Sequence, residues 1–182
     1  MWPRQSGGLL RMALLAVVGS VLMALSARTQ VPMWPVPMTM QTFAVLVIGM
    51  AYGYRLAGAT LLLYLAEGAV GLPVFASGGG IAYFAGPTTG YLVGFFVAAV
   101  LVGWLGERGW DRSVPLTFVA MFGGTVVIFA LGVAWLSIFL NDFQAALANG
   151  FSPFIIGGFV KIALAAAVLP LVWKLAIGKR SV

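Results

Sequence analysis

The sequence predicts an all-α fold: a polytopic membrane protein with six transmembrane helices in one domain, 1–182. Three observations predict it. Hydrophobic residues make up 62% of the chain and charged residues only 8%, whereas an ordinary soluble domain is about a quarter charged. The apolar residues are gathered into runs long enough to cross a bilayer, which takes about 20 residues per span. The cations between those runs are distributed unevenly, as membrane topology requires.

The first run, 9–27, follows Arg4 and ends just before Arg28. It also has the outline of a cleavable leader: basic residues, an apolar stretch, then Ala24, Ser26 and Ala27. Cleavage there would leave five spans. The second and third runs, 39–54 and 56–70, are short and nearly continuous, interrupted at Gly53-Tyr54-Arg55. They read as a tight helical hairpin. The fourth run is 87–105, the fifth 115–140 and the sixth 152–177.

With a cytoplasmic N-terminus, one side receives Arg4, Arg11, Arg55, Arg108, Arg112, Lys174, Lys179 and Arg180, and the other receives only Arg28. That bias places both termini in the cytoplasm, for a multi-pass protein of the bacterial inner membrane. The connections then fall into two kinds. Those on the inner side are short and charged. Those on the outer side, 28–38 and 71–86, are longer and rich in Pro, Gly and aromatic residues. Such loops suit the cover of a ligand pocket.

Several kinds of chemistry are excluded. There is no cysteine and no histidine, and the only acids are Glu67, Glu107, Asp111 and Asp142. Disulfides, thiolate or imidazole metal ligands and a histidine base are therefore absent. No metal and no cofactor is expected. No G-x-x-x-x-G-K-[ST] loop is present to bind ATP. The Gly78-Gly79-Gly80 run lacks the strand and the acid of a dinucleotide site. No nucleophile sits with a base, so the chain does not read as an enzyme.

The sharpest single residue is Lys161. It lies roughly 14 Å into the sixth span at 1.5 Å per residue, about halfway through a core of about 30 Å. A cation at that depth requires a cavity or a partner. It meets either the carboxylate of a ligand or one of the two outer acids, Glu67 and Asp142. Arg28, at the outer end of the first span, is either a second anion group or an ordinary interfacial arginine. Thr39 and Gln41 open the second span; they suit a neutral polar ligand group, or a helix cap and an interhelical bond. Tyr91 either lines a pocket or joins the aromatic belt. Gly86, Gly90 and Gly94 are spaced for close helix packing, as are Ala16, Ser20 and Ala24 on the first span. The latter stripe serves either the bundle itself or a docked partner.

Three blocks then resemble a known family. They are Val36-Pro37-Met38-Thr39-Met40-Gln41-Thr42-Phe43-Ala44-Val45-Leu46, then Tyr64-Leu65-Ala66-Glu67-Gly68-Ala69-Val70-Gly71-Leu72-Pro73-Val74-Phe75-Ala76, then Gly86-Pro87-Thr88-Thr89-Gly90-Tyr91-Leu92-Val93-Gly94-Phe95. In this order and spacing they are similar to the BioY family, the biotin-binding membrane (S) components of energy-coupling factor transporters. The resemblance covers almost the whole chain. It implies a six-helix subunit that takes biotin from outside, with a transmembrane coupling protein and ATPase subunits as partners. It implies a carboxylate partner for Lys161, a ureido ring for the amide and hydroxyl groups, and docking through the stripe of Ala16, Ser20 and Ala24. One departure stands out. Where the family pattern has Pro-Gly-Asp-x-x-Lys, this chain has Ile156-Gly157-Gly158-Phe159-Val160-Lys161. Gly158 replaces an acid on the face that Lys161 shares, so that either another acceptor, such as Glu67 or Asp142, serves recognition or the affinity differs. The rival readings are a stand-alone carrier for another small carboxylate and a membrane assembly subunit without a ligand.

Overall fold

The computed structural model describes residues 8–178, with side chains described to Ala167 and at Leu169. Arg4, Lys179 and Arg180, which count toward the orientation, lie outside the described residues. The order is α1 (Leu9–Arg28), a hairpin of β1 (Gln30–Val31) and β2 (Met38–Thr39), α2 (Gln41–Ala69), α3 (Thr89–Glu107), α4 (Val114–Leu140), α5 (Phe143–Gly150) and α6 (Phe154–Gly178). The hairpin is antiparallel, with Gln30 opposite Thr39 and Val31 opposite Met38.

Helices α1 to α4 are each long and apolar enough to cross a membrane. Helices α5 and α6, bent by 47° at their junction, are long and apolar enough only when taken as a pair. Helix α2 doubles back at Gly53 (φ 76, ψ 165). The side-chain amide of Gln41 lies 2.7 Å from the Tyr64 hydroxyl. A straight helix would hold two residues at this spacing about 35 Å apart. The expected hairpin over 39–70 is therefore present, with its reversal at the glycine. The protein is a multi-pass helical membrane bundle of six α-helices among the described residues.

Gly53 answers two demands. Its backbone lies in a region that is essentially glycine-only. A Cβ there would also sit 2.5 Å from the Glu107 carboxylate at the end of α3. Glycines elsewhere bring helices together. A Cβ on Gly49 would meet the Ala99 carbonyl at 2.9 Å, and one on Gly94 would meet Ile128 Cα at 2.9 Å. Gly90 likewise abuts the backbone of α4 at Leu131. Gly86 acts through its backbone instead, where the carbonyl accepts from the Trp135 indole at 2.9 Å.

The outward faces are apolar as well. Val17, Val21 and Leu25 on α1 and Phe118 and Val126 on α4 are exposed, which suits a surface whose solvent is lipid. The interior mixes large apolar side chains with small and hydroxyl-bearing ones. Ala98, Ala99, Thr60 and Thr117 are fully buried.

Two elements differ from the sequence expectation. Residues 30–39 form a small hairpin, not an open loop. Residues 143–150 form a helix, because Asp142 caps it: its carboxylate accepts from the Gln144 and Ala145 backbone N–H groups at 2.8 and 3.0 Å. Helix α4 stops just before, where Asn141 turns left-handed (φ 52).

Candidate functional site

A cavity opens at the end of the bundle that carries the β-hairpin and the 71–86 loop. About 700 Å³ of space free of protein atoms lies within it and its mouth, open solvent included. Its walls come from the start of α2, the 71–86 loop, the start of α3, the middle of α4 and the first turns of α6. Most of the surface is aromatic or aliphatic: Leu46, Phe75, Leu92, Phe95, Phe129 and Phe154. The polar groups are few, chiefly the hydroxyls of Thr42, Thr88 and Thr125 and the ammonium of Lys161.

Lys161 reaches back from α6 to the entry of α2. Its Nζ donates to the Thr39 carbonyl at 2.5 Å and to the Thr42 hydroxyl at 3.1 Å. An ammonium has three donors, so these two bonds leave one for a ligand. Both acceptors are neutral, so the positive charge stays uncompensated at the cavity wall. A desolvated cation of this kind favours an anionic partner.

Neither outer acid lies in the cavity lining. Glu67 accepts from the Ser20 hydroxyl at 3.0 Å, and Asp142 caps α5. These placements speak against the alternative in which one of them pairs with Lys161, and put neither at the cavity in place of the acid missing at Gly158. Gly158 itself lines the cavity. A Cβ there would meet nothing within 4 Å, so its hydrogen marks open space beside Lys161.

Thr39, Gln41 and Tyr91 line the same cavity as Lys161. Their polar atoms are largely committed to the fold. The Thr39 hydroxyl donates to Gln41 Oε1 at 3.2 Å, and Gln41 Nε2 donates to Tyr64. Tyr91 offers its ring to the cavity while its hydroxyl donates to the Gly150 carbonyl at 2.8 Å. Its ring also meets Phe129 edge to face, 6.3 Å between centroids.

Arg28 does not line the cavity. Its guanidinium donates to the Pro73 carbonyl at 2.6 Å, clamping the 71–86 loop from outside. In the small-residue stripe, Ala16 and Ser20 are buried and Ala24 is half-buried. Ser20 faces Glu67 on α2, and neighbouring Gly19 abuts Thr60. The stripe therefore points into the bundle, leaving large apolar residues such as Val18 and Val21 on the open face.

Sequence reading missed Phe129, Phe154, Thr88 and Thr125 as lining residues. The phenylalanines sit in helices that are apolar all round, so nothing in their spacing sets them apart. The threonines carried a weak signal, as hydroxyls inside apolar runs.

With this geometry in place, similarity to known proteins is informative. A model of the BioY family matches residues 4–177. The biotin transporter BioY of Thermotoga maritima is 33% identical over 160 residues, covering 87% of this chain and 94% of that protein. The probable biotin transporter BioY of Pyrococcus horikoshii is 38% identical over 148 residues, covering 81% and 86%. Biotin transporter BioY2 of Lactococcus lactis subsp. cremoris is 33% identical over 152 residues, covering 82% and 83%. Among solved structures, the S-component for biotin from an ECF-type ABC transporter superposes with a TM-score of 0.75. That match covers 91% of this chain and 92% of the other at 21% identity, and it speaks for the fold alone. The family match spans nearly the whole described bundle and its cavity, and on that ground the chain belongs to the BioY family.

Proposed function

We propose that this protein is the biotin-capturing membrane subunit of an uptake system. It takes biotin at the cavity and works with a separate transmembrane coupling protein and ATPase subunits. The observation that carries this reading is Lys161, one ammonium with a donor to spare, set in the wall of a largely apolar cavity. Biotin has matching chemistry: one carboxylate, an apolar bicycle and tail, and a neutral ureido group. The carboxylate meets Lys161. The bicycle lies against the aromatic walls, and the ureido group meets threonine hydroxyls. The relatives named as biotin transporters support the same ligand.

The cavity faces the outside in this reading. Arg28 and the long Pro/Gly loops lie at its mouth, whereas Arg55 and Arg108 lie where α2 reverses and α3 ends. The arginine-rich end is cytoplasmic by the positive-inside rule, which puts both termini in the cytoplasm and the chain in the bacterial inner membrane. The chain is a transport subunit, not an enzyme. Having no P-loop in its sequence, it depends on its partners for energy.

Equilibrium binding of labelled biotin to the purified chain tests the reading. Saturable binding, competed by unlabelled biotin, is the expected result. No saturable binding, together with uptake of a different acid in cells making this chain alone, would establish the rival stand-alone carrier.

A further inference from the structure

Tyr64 lies behind the cavity, not in it. It is 0% exposed and does not belong to the lining. A buried hydroxyl needs partners, and this one has two from opposite sides. It accepts from Gln41 Nε2 at 2.7 Å and donates to the Val74 carbonyl at 3.0 Å. Gln41 in turn accepts from the Thr39 hydroxyl, and the Thr39 carbonyl accepts from Lys161. One continuous polar chain therefore runs from the ammonium on α6, through the start of α2, to the 71–86 loop.

The far end of that chain is a cavity wall. Val74 is followed by Phe75 and Ala76, both of which line the cavity. The Tyr64 ring also meets the Phe75 ring edge to face, with centroids 5.3 Å apart. Phe75 is 0% exposed and pressed against Gly68, where a side chain would collide with it. Tyr64 thus fixes the wall twice, by its hydroxyl at Val74 and by its ring at Phe75. The other side-chain ties, Arg28 to Pro73 and Gln30 to Ala76, are exposed and part-buried; the Tyr64 bond to Val74 is part-buried too, but the Gln41 bond that holds the Tyr64 hydroxyl is buried. Water competes for exposed bonds, whereas a buried bond costs more to lose.

We propose that Tyr64 is a positioning residue for the ligand site: it holds the 72–76 wall in register with Lys161, so that bound ligand is retained. The proposal takes its probe, biotin, from the function proposed above, but its structural half stands without it.

The test uses the full-length chain in detergent or nanodiscs, as wild type, Tyr64→Phe, Gln41→Met and the double variant. Two quantities are measured: the biotin dissociation rate, and amide hydrogen exchange at residues 72–76 without ligand. Tyr64→Phe keeps the ring and removes only the hydroxyl. It is expected to raise exchange at 72–76 and to speed dissociation by about 5- to 30-fold, with association changed by less than about twofold. Gln41→Met loses its own ligand contacts in both backgrounds, so the cycle isolates coupling. The Tyr64→Phe effect is expected to shrink at least threefold in the Gln41→Met background. Unchanged exchange at 72–76 in folded Tyr64→Phe would overturn the proposal. So would fully additive effects on dissociation. Should the wild type bind no biotin, the functional reading fails, and exchange at 72–76 in the two single variants still decides this proposal. Should Tyr64→Phe fail to fold, increased exchange at 72–76 in Gln41→Met supports the proposal and unchanged exchange overturns it.

Discussion

Lys161 and Thr39 lie 122 positions apart, yet the ammonium of the first donates to the carbonyl oxygen of the second at 2.5 Å. This bond staples α6 to the entry of α2 across the cavity. It also orients the ammonium, because a flexible lysine stem is held by two fixed acceptors. On the proposed reading, replacing Lys161 with Ala removes a charge-assisted bond to the ligand carboxylate. Such bonds are worth about 1.5–3 kcal/mol, so biotin affinity is expected to fall by about 10- to 100-fold. A biotin amide, which lacks the charge, is expected to lose much less. Equilibrium binding of both ligands to both proteins checks this, and equal losses would refute direct pairing with the carboxylate.

Gly158 offers the converse experiment. Open space surrounds its missing side chain, and it lines the same wall as Lys161. Gly158→Asp is therefore expected to fold with no loss of thermal stability. Its carboxylate would sit on the helix face of Lys161 and lower the local positive potential. A neutral ligand gains an acceptor there, whereas a carboxylate ligand also meets a like charge. The preference for biotin over its amide is expected to narrow. An unchanged preference would show that the ligand carboxylate lies away from Lys161.

Much of this site was legible in the sequence because polar residues in apolar runs are conspicuous. Lys161, Gln41 and Thr39 stood out for that reason, and the structure brings them together with Tyr91 at one cavity. Phe129 and Phe154 did not stand out, because in lipid both faces of a helix are apolar and periodicity carries no inward signal. Arg28, at the outer end of the first span, stood out as a second cation; it lies outside the cavity lining, with one guanidinium donor on the Pro73 carbonyl. Asp142 looked like a partner for a buried cation and proved to be the cap of α5, a helix too short for its own apolar run to announce. The reversal at Gly53 was readable from the Gly53-Tyr54-Arg55 interruption.

That reversal yields a stability prediction. Ala at position 53 would have to adopt a backbone conformation essentially confined to glycine, which costs about 1–3 kcal/mol. It would also press a methyl onto the Glu107 carboxylate. Gly53→Ala is expected to destabilise the chain by about 2 kcal/mol or more, seen as a lower melting temperature in detergent. Gly158→Ala, with open space and no positive φ, is expected to melt with the wild type. Melting of the two variants at the same temperature would contradict the reversal.

Tyr91 separates a wall from a fold contact within one side chain. Its ring lines the cavity, while its hydroxyl satisfies the Gly150 carbonyl at 2.8 Å. Tyr91→Phe keeps the wall and orphans that carbonyl, at a cost of about 1–3 kcal/mol. The expected outcome is a lower melting temperature with biotin affinity within about threefold of wild type. Loss of affinity with unchanged melting would mean that the hydroxyl turns to the ligand instead.

The small-residue stripe on α1 has two readings, a packing seam and a docking face, that a pair of variants separates. Ala16 and Ser20 are buried, and Ser20 donates to Glu67 on α2 at 3.0 Å. A stripe that holds α1 on α2 and a stripe that docks a coupling protein make opposite demands on the isolated chain. Overpacking a tight contact costs about 1–3 kcal/mol, so Ala16→Leu is expected to lower the melting temperature of the purified subunit. Val18→Leu, on the open face of α1, is expected to leave it unchanged. If Ala16→Leu instead melts like wild type, binds biotin normally and abolishes uptake in cells that also make the coupling module, then α1 must swing away from α2 to present the stripe. Melting of the isolated chain and uptake by the assembled system, measured on the same two variants, separate a packing seam from a docking face.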